Sequence, residues 1–284
     1  MEEKAPNSLP RPLRIAAVAF AALVLFTTFV YLGFPYERLG PILVSRVEQA
    51  SDLRVRVDGV SPSPQLLGPG IALENLRLEF ADGRVLDFSR VRIRIAWSTS
   101  WLMARPAFAI DAESPSGSVD GVVTLGQPSA FDGELSGIDL EAYDLAAYAQ
   151  GISLEGVADL DVDLSFGEAG SEGTLTLDAR SGTLAHPSLP MTIPYEQIHG
   201  EFVLGGDAAV RIESLVIESS LGQGTIGGSV GHAAGGKGAP LDIQVEIATA
   251  PAVQSVLRSQ GVKLAKDGSA KFRIAGTTGQ PLVQ

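Results

Sequence analysis

The sequence predicts a mainly β protein, with a single N-terminal transmembrane helix followed by a long twisted antiparallel sheet and a few short helices. Three observations predict this fold class. Residues 15–34 carry no charge, apolar and polar residues alternate with a period of two from about residue 53, and Gly-rich turn signals separate the alternating stretches. Such alternation is typical of antiparallel strands with one apolar face and one solvated face.

The uncharged run at residues 15–34 is the first element in chain order. A helix of this length, at about 1.5 Å per residue, spans the roughly 30 Å hydrocarbon core of a bilayer. Lys4, Arg11 and Arg14 precede the run, so the positive-inside rule predicts that residues 1–14 are cytoplasmic and that the bulk lies outside. The apolar anchor side chains are Ile15, Val18, Phe20, Leu23, Leu25, Phe29, Val30, Leu32 and Phe34.

A cleaved secretory signal is the alternative interpretation of this run. The apolar region of such a signal is usually about 7–15 residues long and ends at a small-residue cleavage site. Residues 15–34 form a longer run that closes without an Ala-x-Ala pattern, which favours a retained single-pass anchor. With an inward N-terminus and no later stop-transfer run, the chain is predicted to lie in a bacterial inner membrane with its bulk in the periplasm.

Composition limits the binding partners of the exported part. The net charge is −12 and no basic cluster interrupts it, which argues against nucleic acid as a partner. The chain has no Cys, so the exported part is held together by packing and backbone pairing rather than by disulfides.

Residues 35–52 are predicted to form a juxtamembrane helix or linker. Gly40 and Pro41 interrupt the helical spacing, and Pro41 fits the first turn of a short helix better than its middle. Two roles stay open, a linker helix that caps the domain and an amphipathic helix on the membrane surface. The apolar residues at helical spacing are Leu39, Ile42, Leu43 and Val47.

Residues 53–284 are predicted to form one β-domain of roughly a dozen strands. Turn signals such as Asp267–Gly268 lie at hairpin-like spacing, which indicates a long meander. Three short helices interrupt the pattern, at residues 98–103, 142–150 and 251–259, the last with Pro251 at its first position. The strands carry apolar residues at alternate positions, among them Val55, Val91, Ile93, Val210, Ile243, Val245, Phe272 and Ile274.

A Gly-rich stretch at residues 222–238 matches several catalytic patterns by spacing. Gly222, Gly224 and Gly227 satisfy the dinucleotide-binding fingerprint, and Ser229 is the central residue of a G-x-S-x-G pattern. Both patterns require a strand, a tight turn and then a helix. Gly228 to Gly231 cannot hold a helix, so we expect neither a cofactor site nor a Ser229 nucleophile here.

Other polar groups are predicted to face solvent. Asp159, Asp161 and Asp163 alternate with apolar residues, which favours an acidic strand face over a calcium loop. The histidines 186, 199 and 232 lack metal-ligand spacing. Arg90, Arg92 and Arg94 form a stripe that either faces solvent or contacts acidic headgroups or an acidic partner. We therefore expect no catalytic residue, no cofactor, no metal site and no enzymatic activity.

Five phrases in order resemble type II secretion system protein N of the GspN type, which belongs with the AsmA-like proteins. The apolar span running into residues 34–39 resembles the start of that group, and residues 98–106, 117–121 and 154–160 resemble its inner phrases. Residues 272–281 resemble its terminal F-x-I-x-G-T-x-x-x-P phrase. The resemblance implies a taco-shaped, AsmA-like sheet with an apolar concave face that conducts lipids, and it implies an association with type II protein secretion.

The sheet's apolar face must be buried against another layer or against a ligand. A closed core, as in a sandwich, and an open groove for acyl chains both stay possible outcomes. We predict an inner-membrane-anchored periplasmic accessory or scaffold component associated with type II secretion, with other secretion subunits as partners. The alternative is a lipid-binding or lipid-transfer module between the two membranes, in which a charge at Val162 or Leu204 abolishes phospholipid loading without unfolding. The residues of the predicted groove or core are Leu160, Val162, Leu164, Phe166, Leu175, Leu177, Phe202 and Leu204.

Overall fold

A computed structural model describes residues 20–23, 25–26, 28–31, 33–50, 53–64, 69–81, 83, 85–142, 153–167, 170–185, 192–206, 208–233, 238–259 and 264–283. The chain forms two compact units, Met1–Asp87 and Phe88–Gln284. Strands dominate both the element order and the length of the described chain, which confirms the mainly β prediction. The boundary lies within a strand, whereas the sequence predicted one β-domain from residue 53.

The first unit combines N-terminal helices with a small antiparallel sheet. Helix α1 is Phe20–Tyr31, a 3-10 helix is Tyr36–Arg38, and α2 is Leu39–Ala50. Strands β1 (Arg54–Arg56) and β2 (Gly59–Pro62) both pair antiparallel with β3 (Gly70–Glu79). Pro41 is the third residue of α2, where its missing N–H has no intrahelical partner to lose. The predicted position of Pro41 in the first turn is confirmed.

The predicted membrane anchor is described only in part. No single helix in the described ranges is long and apolar enough to cross a bilayer, but Phe20–Tyr31 and Tyr36–Gln49, bent by 49°, pass together on length and composition. Ile15, Val18 and Leu32 lie outside the described residues. A single helix over residues 15–34 therefore stays a prediction. The described anchor side chains are all exposed, namely Phe20, Leu23, Leu25, Phe29, Val30 and Phe34.

The second unit is built on an antiparallel meander in which each strand pairs with the next. The strand β4 runs across the unit boundary, and the described connections between strands include the 3-10 helix Thr99–Met103 and helix α3, Pro251–Ser259. These two helices confirm two of the three predicted ones, and residues 143–150 of the third lie outside the described chain. The strands are β4 (Val85–Ile95), β5 (Ala107–Ser114), β6 (Gly117–Thr124), β7 (Ser129–Asp139), β8 (Ser153–Gly167), β9 (Gly170–Ala185), β10 (Ile193–Leu204), β11 (Val210–Ser219), β12 (Gly222–Val230), β13 (Pro240–Thr249), β14 (Ser269–Thr277) and β15 (Gln280–Val283).

Local turn chemistry supports the meander. In the turn before β14, Gly268 has φ +81°, a left-handed conformation that favours glycine. Asp267 accepts a hydrogen bond from the Ser269 backbone N–H at 3.0 Å, and this bond lowers the pKa of the Asp267 carboxyl. The predicted Asp-Gly turn is confirmed.

The buried core of the second unit lies at one end of strands β7 to β10. Ile138, Ala158, Ala179 and Ile198 form a row of directly paired residues across these four strands. The two alanines are 0% exposed, and Ile138 and Ile198 are 7% and 5% exposed. Leu140 and Tyr195 complete this cluster.

Candidate functional site

The predicted groove or core residues lie together on one face of the sheet in the second unit. Leu160 pairs with Leu177, and Val162 pairs with Leu175, which pairs in turn with Phe202 on β10. Leu164 and Leu204 both pair with Gly173 from opposite sides. Directly paired residues share a face and alternate residues along a strand return to it. The eight residues, with Phe166 at the end of β8, therefore line one continuous surface.

The structure extends this surface well beyond the three predicted strands. The pairing of β7 with β8, and of β10 onward to β14, carries the apolar register across neighbouring strands. We call this surface, from β7 to β14, the apolar face. Eight strands at about 4.8 Å spacing give it a length of roughly 34 Å. The added residues are Phe131, Leu135, Val210, Ile212, Leu215, Ile226, Val230, Leu241, Ile243, Val245, Phe272 and Ile274.

Glycines on this side of the sheet were missed by sequence reasoning, and aromatic rings lie over them. Gly121 and Gly133 are directly paired, and a methyl group at either position would lie 2.9 Å from a ring carbon of Phe131. At Gly200 a methyl group would lie 2.8 Å from the ring of Phe202. The rings therefore pack against the sheet above these glycines. The signal in the sequence was a Gly at alternate positions in strands that otherwise carry large apolar residues.

Exposure shows that no second layer among the described residues seals this surface. In a sandwich, large inward side chains interdigitate between the sheets and become buried. Here none of the described large side chains is fully buried, most of the apolar face is half-buried, and Phe166 is 46% exposed. Val162 is an exception at 8%. A charge at Val162 would therefore also destabilise the fold. Leu204 is the better position for testing loss of lipid loading without unfolding.

The opposite face of the same strands is polar and carries like charges side by side. Asp111, Asp120, Glu134 and Asp161 occupy directly paired positions on β5 to β8. Arg92 lies 3.2 Å from Asp111 and 3.2 Å from Glu113, so one member of the predicted basic stripe is paired within the sheet. Asp159, Asp161 and Asp163 lie within β8, as the strand interpretation predicted.

Charged pairs on this polar face join neighbouring strands. Arg273 donates to both carboxylate oxygens of Asp242, at 2.8 and 2.9 Å, and this hydrogen bonding lowers the pKa of Asp242. His199 Nδ1 lies 2.9 Å from Asp178 Oδ1, and that hydrogen bond raises the pKa of the imidazole. No group of three His, Asp or Glu in the described ranges is arranged to hold a metal ion.

The catalytic-looking glycine pattern lies inside a strand. Gly222, Gly224 and Gly227 belong to β12, which pairs with β11 and β13 along both edges. Ser229 also lies in β12, between Arg211 and Asp242. A dinucleotide fingerprint or a nucleophile elbow needs a turn into a helix at this point, and the chain continues here as strand. Of the other histidines, His232 lies 3.3 Å from the Gly206 carbonyl, and His186 is outside the described residues.

The apolar face offers mainly hydrophobic contact. Among the described residues, its paired rows consist mostly of Leu, Val, Ile, Phe, Ala and Gly, with Ser129 and Ser171 beside Phe166 at the edge, whereas the charged groups point to the other side. Such a surface is suited to an apolar ligand. Comparisons with family models, with curated proteins and with solved structures found no match for this chain.

Proposed function

We propose that this chain is a membrane-anchored module that binds the acyl chains of lipids on the apolar face. The observation that carries this proposal is a continuous, half-buried apolar surface across eight strands, with no second layer over it among the described residues. Soluble monomers rarely expose large contiguous apolar surfaces unless a partner or ligand covers them. A ligand without polar groups along its length fits this surface best.

The dimensions and energetics suit acyl chains. One leaflet of a bilayer contributes about half of the roughly 30 Å hydrocarbon core, so the apolar face is longer than a single acyl chain. Each 100 Å² of apolar surface removed from water contributes about 2.5 kcal/mol before ordering costs. This attraction is non-directional, which allows a flexible chain to bind in several positions along the face.

The N-terminal segment supports the same function. Its described apolar side chains are exposed, with Phe29 at 78% and Leu25 at 70%. Exposed residues of this type are suited to a lipid environment, and the sequence predicts that residues 15–34 insert there. An anchor of this kind would keep the apolar face close to a source of lipid.

The test is native mass spectrometry of the full chain purified from a bacterial membrane, with the bound phospholipid extracted and quantified. We compare Leu204→Glu with Val203→Glu, because the two positions are adjacent on β10 and face opposite sides of the sheet. Lipid held by the anchor is common to both variants and cancels in the difference. We expect Leu204→Glu to lose phospholipid relative to wild type and Val203→Glu to retain it. Equal lipid content in two folded variants would overturn the proposal.

The accessory or scaffold role in type II secretion stays a prediction from the sequence resemblance. It predicts co-purification of the full chain with periplasmic secretion components. The lipid proposal does not depend on that outcome.

A further inference from the structure

The connection between β4 and β5 carries an exposed apolar cluster. We call residues 96–106 the tryptophan connector, because both tryptophans of the chain lie there. Trp97 is 70% exposed, Leu102 is 89% exposed and Met103 is 66% exposed. Four large apolar side chains within seven residues, with Trp101 at 36%, form a surface that needs a partner.

The tryptophan connector is an ordered protrusion. Residues Thr99–Met103 form a 3-10 helix, and the Arg105 backbone N–H closes it by donating to the Ser100 carbonyl at 2.9 Å. Trp101 Nε1 donates to the Ala96 carbonyl at 2.8 Å, and its ring contacts Phe108 on β5 edge to face at 6.2 Å. Backbone groups paired within the connector carry a lower cost when water is removed from them.

Arginines flank the connector in the sequence. Residues 88–110 contain Arg90, Arg92, Arg94 and Arg105 and no Asp or Glu, although the net charge of the chain is −12. Arg92 is paired with Asp111 and Glu113. Arg105 donates to the Pro128 carbonyl, and within the described ranges no carboxylate forms an ion pair with it. Basic residues near an anionic membrane surface contribute about 1 kcal/mol each.

Further exposed apolar residues lie at the same end of the strands. Leu125, whose backbone N–H donates to the Pro106 carbonyl at 2.8 Å, is 46% exposed, and Phe166 at the end of β8 is also 46% exposed. Tryptophans beside apolar tips and arginines are typical of segments that sit at a membrane–water interface. The pattern favours a lipid surface because the interfacial region of a bilayer accepts both the indole rings and the flanking guanidinium groups.

We propose that the tryptophan connector inserts into the interfacial region of an anionic lipid bilayer, as a membrane contact separate from the predicted N-terminal anchor. Leu102 and Met103 enter the acyl boundary, the indoles lie at headgroup depth, and Arg94 and Arg105 contact lipid phosphates. This contact does not require lipid on the apolar face, so the two proposals fail independently.

Intrinsic fluorescence tests this contact without labels, since both tryptophans of the full chain lie in the connector. The full chain is reconstituted in vesicles containing phosphatidylglycerol, with or without brominated acyl chains. In a second arrangement, brominated vesicles are added to unbrominated proteoliposomes. We expect a blue-shifted emission and quenching by brominated lipid in at least one arrangement, and weaker quenching with phosphatidylcholine alone. The first arrangement reports contact with the chain's own membrane, and the second reports contact with an opposing one.

Substitutions separate insertion from a change in fold. Leu102→Glu combined with Met103→Glu is expected to reduce quenching by about twofold or more, because carboxylates resist entry into the acyl region. Val157→Glu is the matched control, since Val157 is 51% exposed on β8 and lies outside the connector. Quenching that falls in Leu204→Glu but not in the double connector variant would assign it to lipid on the apolar face and would overturn the proposal. Water-like emission without quenching by brominated lipid in both arrangements would overturn the proposal.

Discussion

The two ends of strands β7 to β10 differ in how deeply they bury the same apolar face. At one end, Ile138, Ala158, Ala179 and Ile198 form a paired row that is 0–7% exposed. About six residues further along, or roughly 20 Å, Leu164 and Leu204 flank Gly173 in a row that is half-buried. The pairing of β8 with β9 and of β9 with β10 is continuous between the rows. Packing, and with it stability, is therefore concentrated at the first end, and the second end keeps apolar surface for a ligand.

A tyrosine and two glycines strengthen the buried end. Tyr195 is 3% exposed and pairs with Gly182 on β9. Its hydroxyl reaches across that glycine and donates to the Glu155 carbonyl at 2.5 Å. The next residue, Gly156, has φ +127° and lies in a β-bulge of β8. Burial, followed by the charge of Glu155, raises the pKa of Tyr195. One side chain thus joins three strands, and the half-buried end has no equivalent among the described residues.

The largest effect is expected from placing the same charge at each end of β10. Ile198→Glu puts a carboxylate where the native side chain is 5% exposed, and an unpaired buried charge costs about 3–5 kcal/mol. Leu204→Glu lies on the same face at the half-buried end, where the carboxylate reaches water and the cost should be about 1 kcal/mol. Urea unfolding followed by circular dichroism measures both. Similar midpoints for the two variants would show that the two ends are equally packed.

A smaller but substantial effect is expected from Gly182→Ala at the buried end. The added methyl group would clash with the Tyr195 hydroxyl and with the Glu155 carbonyl oxygen. Backbone must move to relieve this clash, which typically costs about 1–3 kcal/mol. Gly224→Ala is the matched control, because its methyl group meets only Ile217 Cβ at 3.9 Å. The free energy of unfolding should fall for the first variant and change by less than about 0.5 kcal/mol for the second. Equal losses would contradict the role of Tyr195.

Sequence periodicity could predict face membership because alternate residues of a strand share a side whatever the tertiary structure. This is why Leu160, Val162 and Phe202 were placed together correctly. The contrast between the two ends could not be predicted, since Ala158 and Leu164 occupy equivalent positions in the same alternation. Burial there depends on which strands meet, and bulges such as the one at Gly156 shift that register.

The remaining features of the site depend on contacts between distant residues. Gly121 on β6 and Gly133 on the apolar face lie together under the ring of Phe131 only because they are paired. The tryptophan connector was predicted as a short helix, but its exposure follows from the lack of a neighbouring element to cover it among the described residues. Local sequence records neither property, because both arise from tertiary packing.

The smallest effect is expected on the polar side of β10, between the two ends. The hydrogen bond that His199 makes to Asp178, opposed by burial and aided by the charges of Asp178 and Glu201, raises the pKa of His199 above its ordinary 6.5. A raised pKa in the folded state means that the stabilisation is fully present below pH 6.5 and is lost as pH rises through the folded value. His199 is 41% exposed as a side chain, so solvent screening limits the effect to about 0.5 kcal/mol. Urea midpoints of wild type should fall slightly from pH 6 to 8, whereas those of His199→Gln should lack this decrease. An unchanged pH slope in His199→Gln would assign the decrease to other groups. A large decrease in wild type would mean that the polar face, rather than the buried end, carries much of the stability.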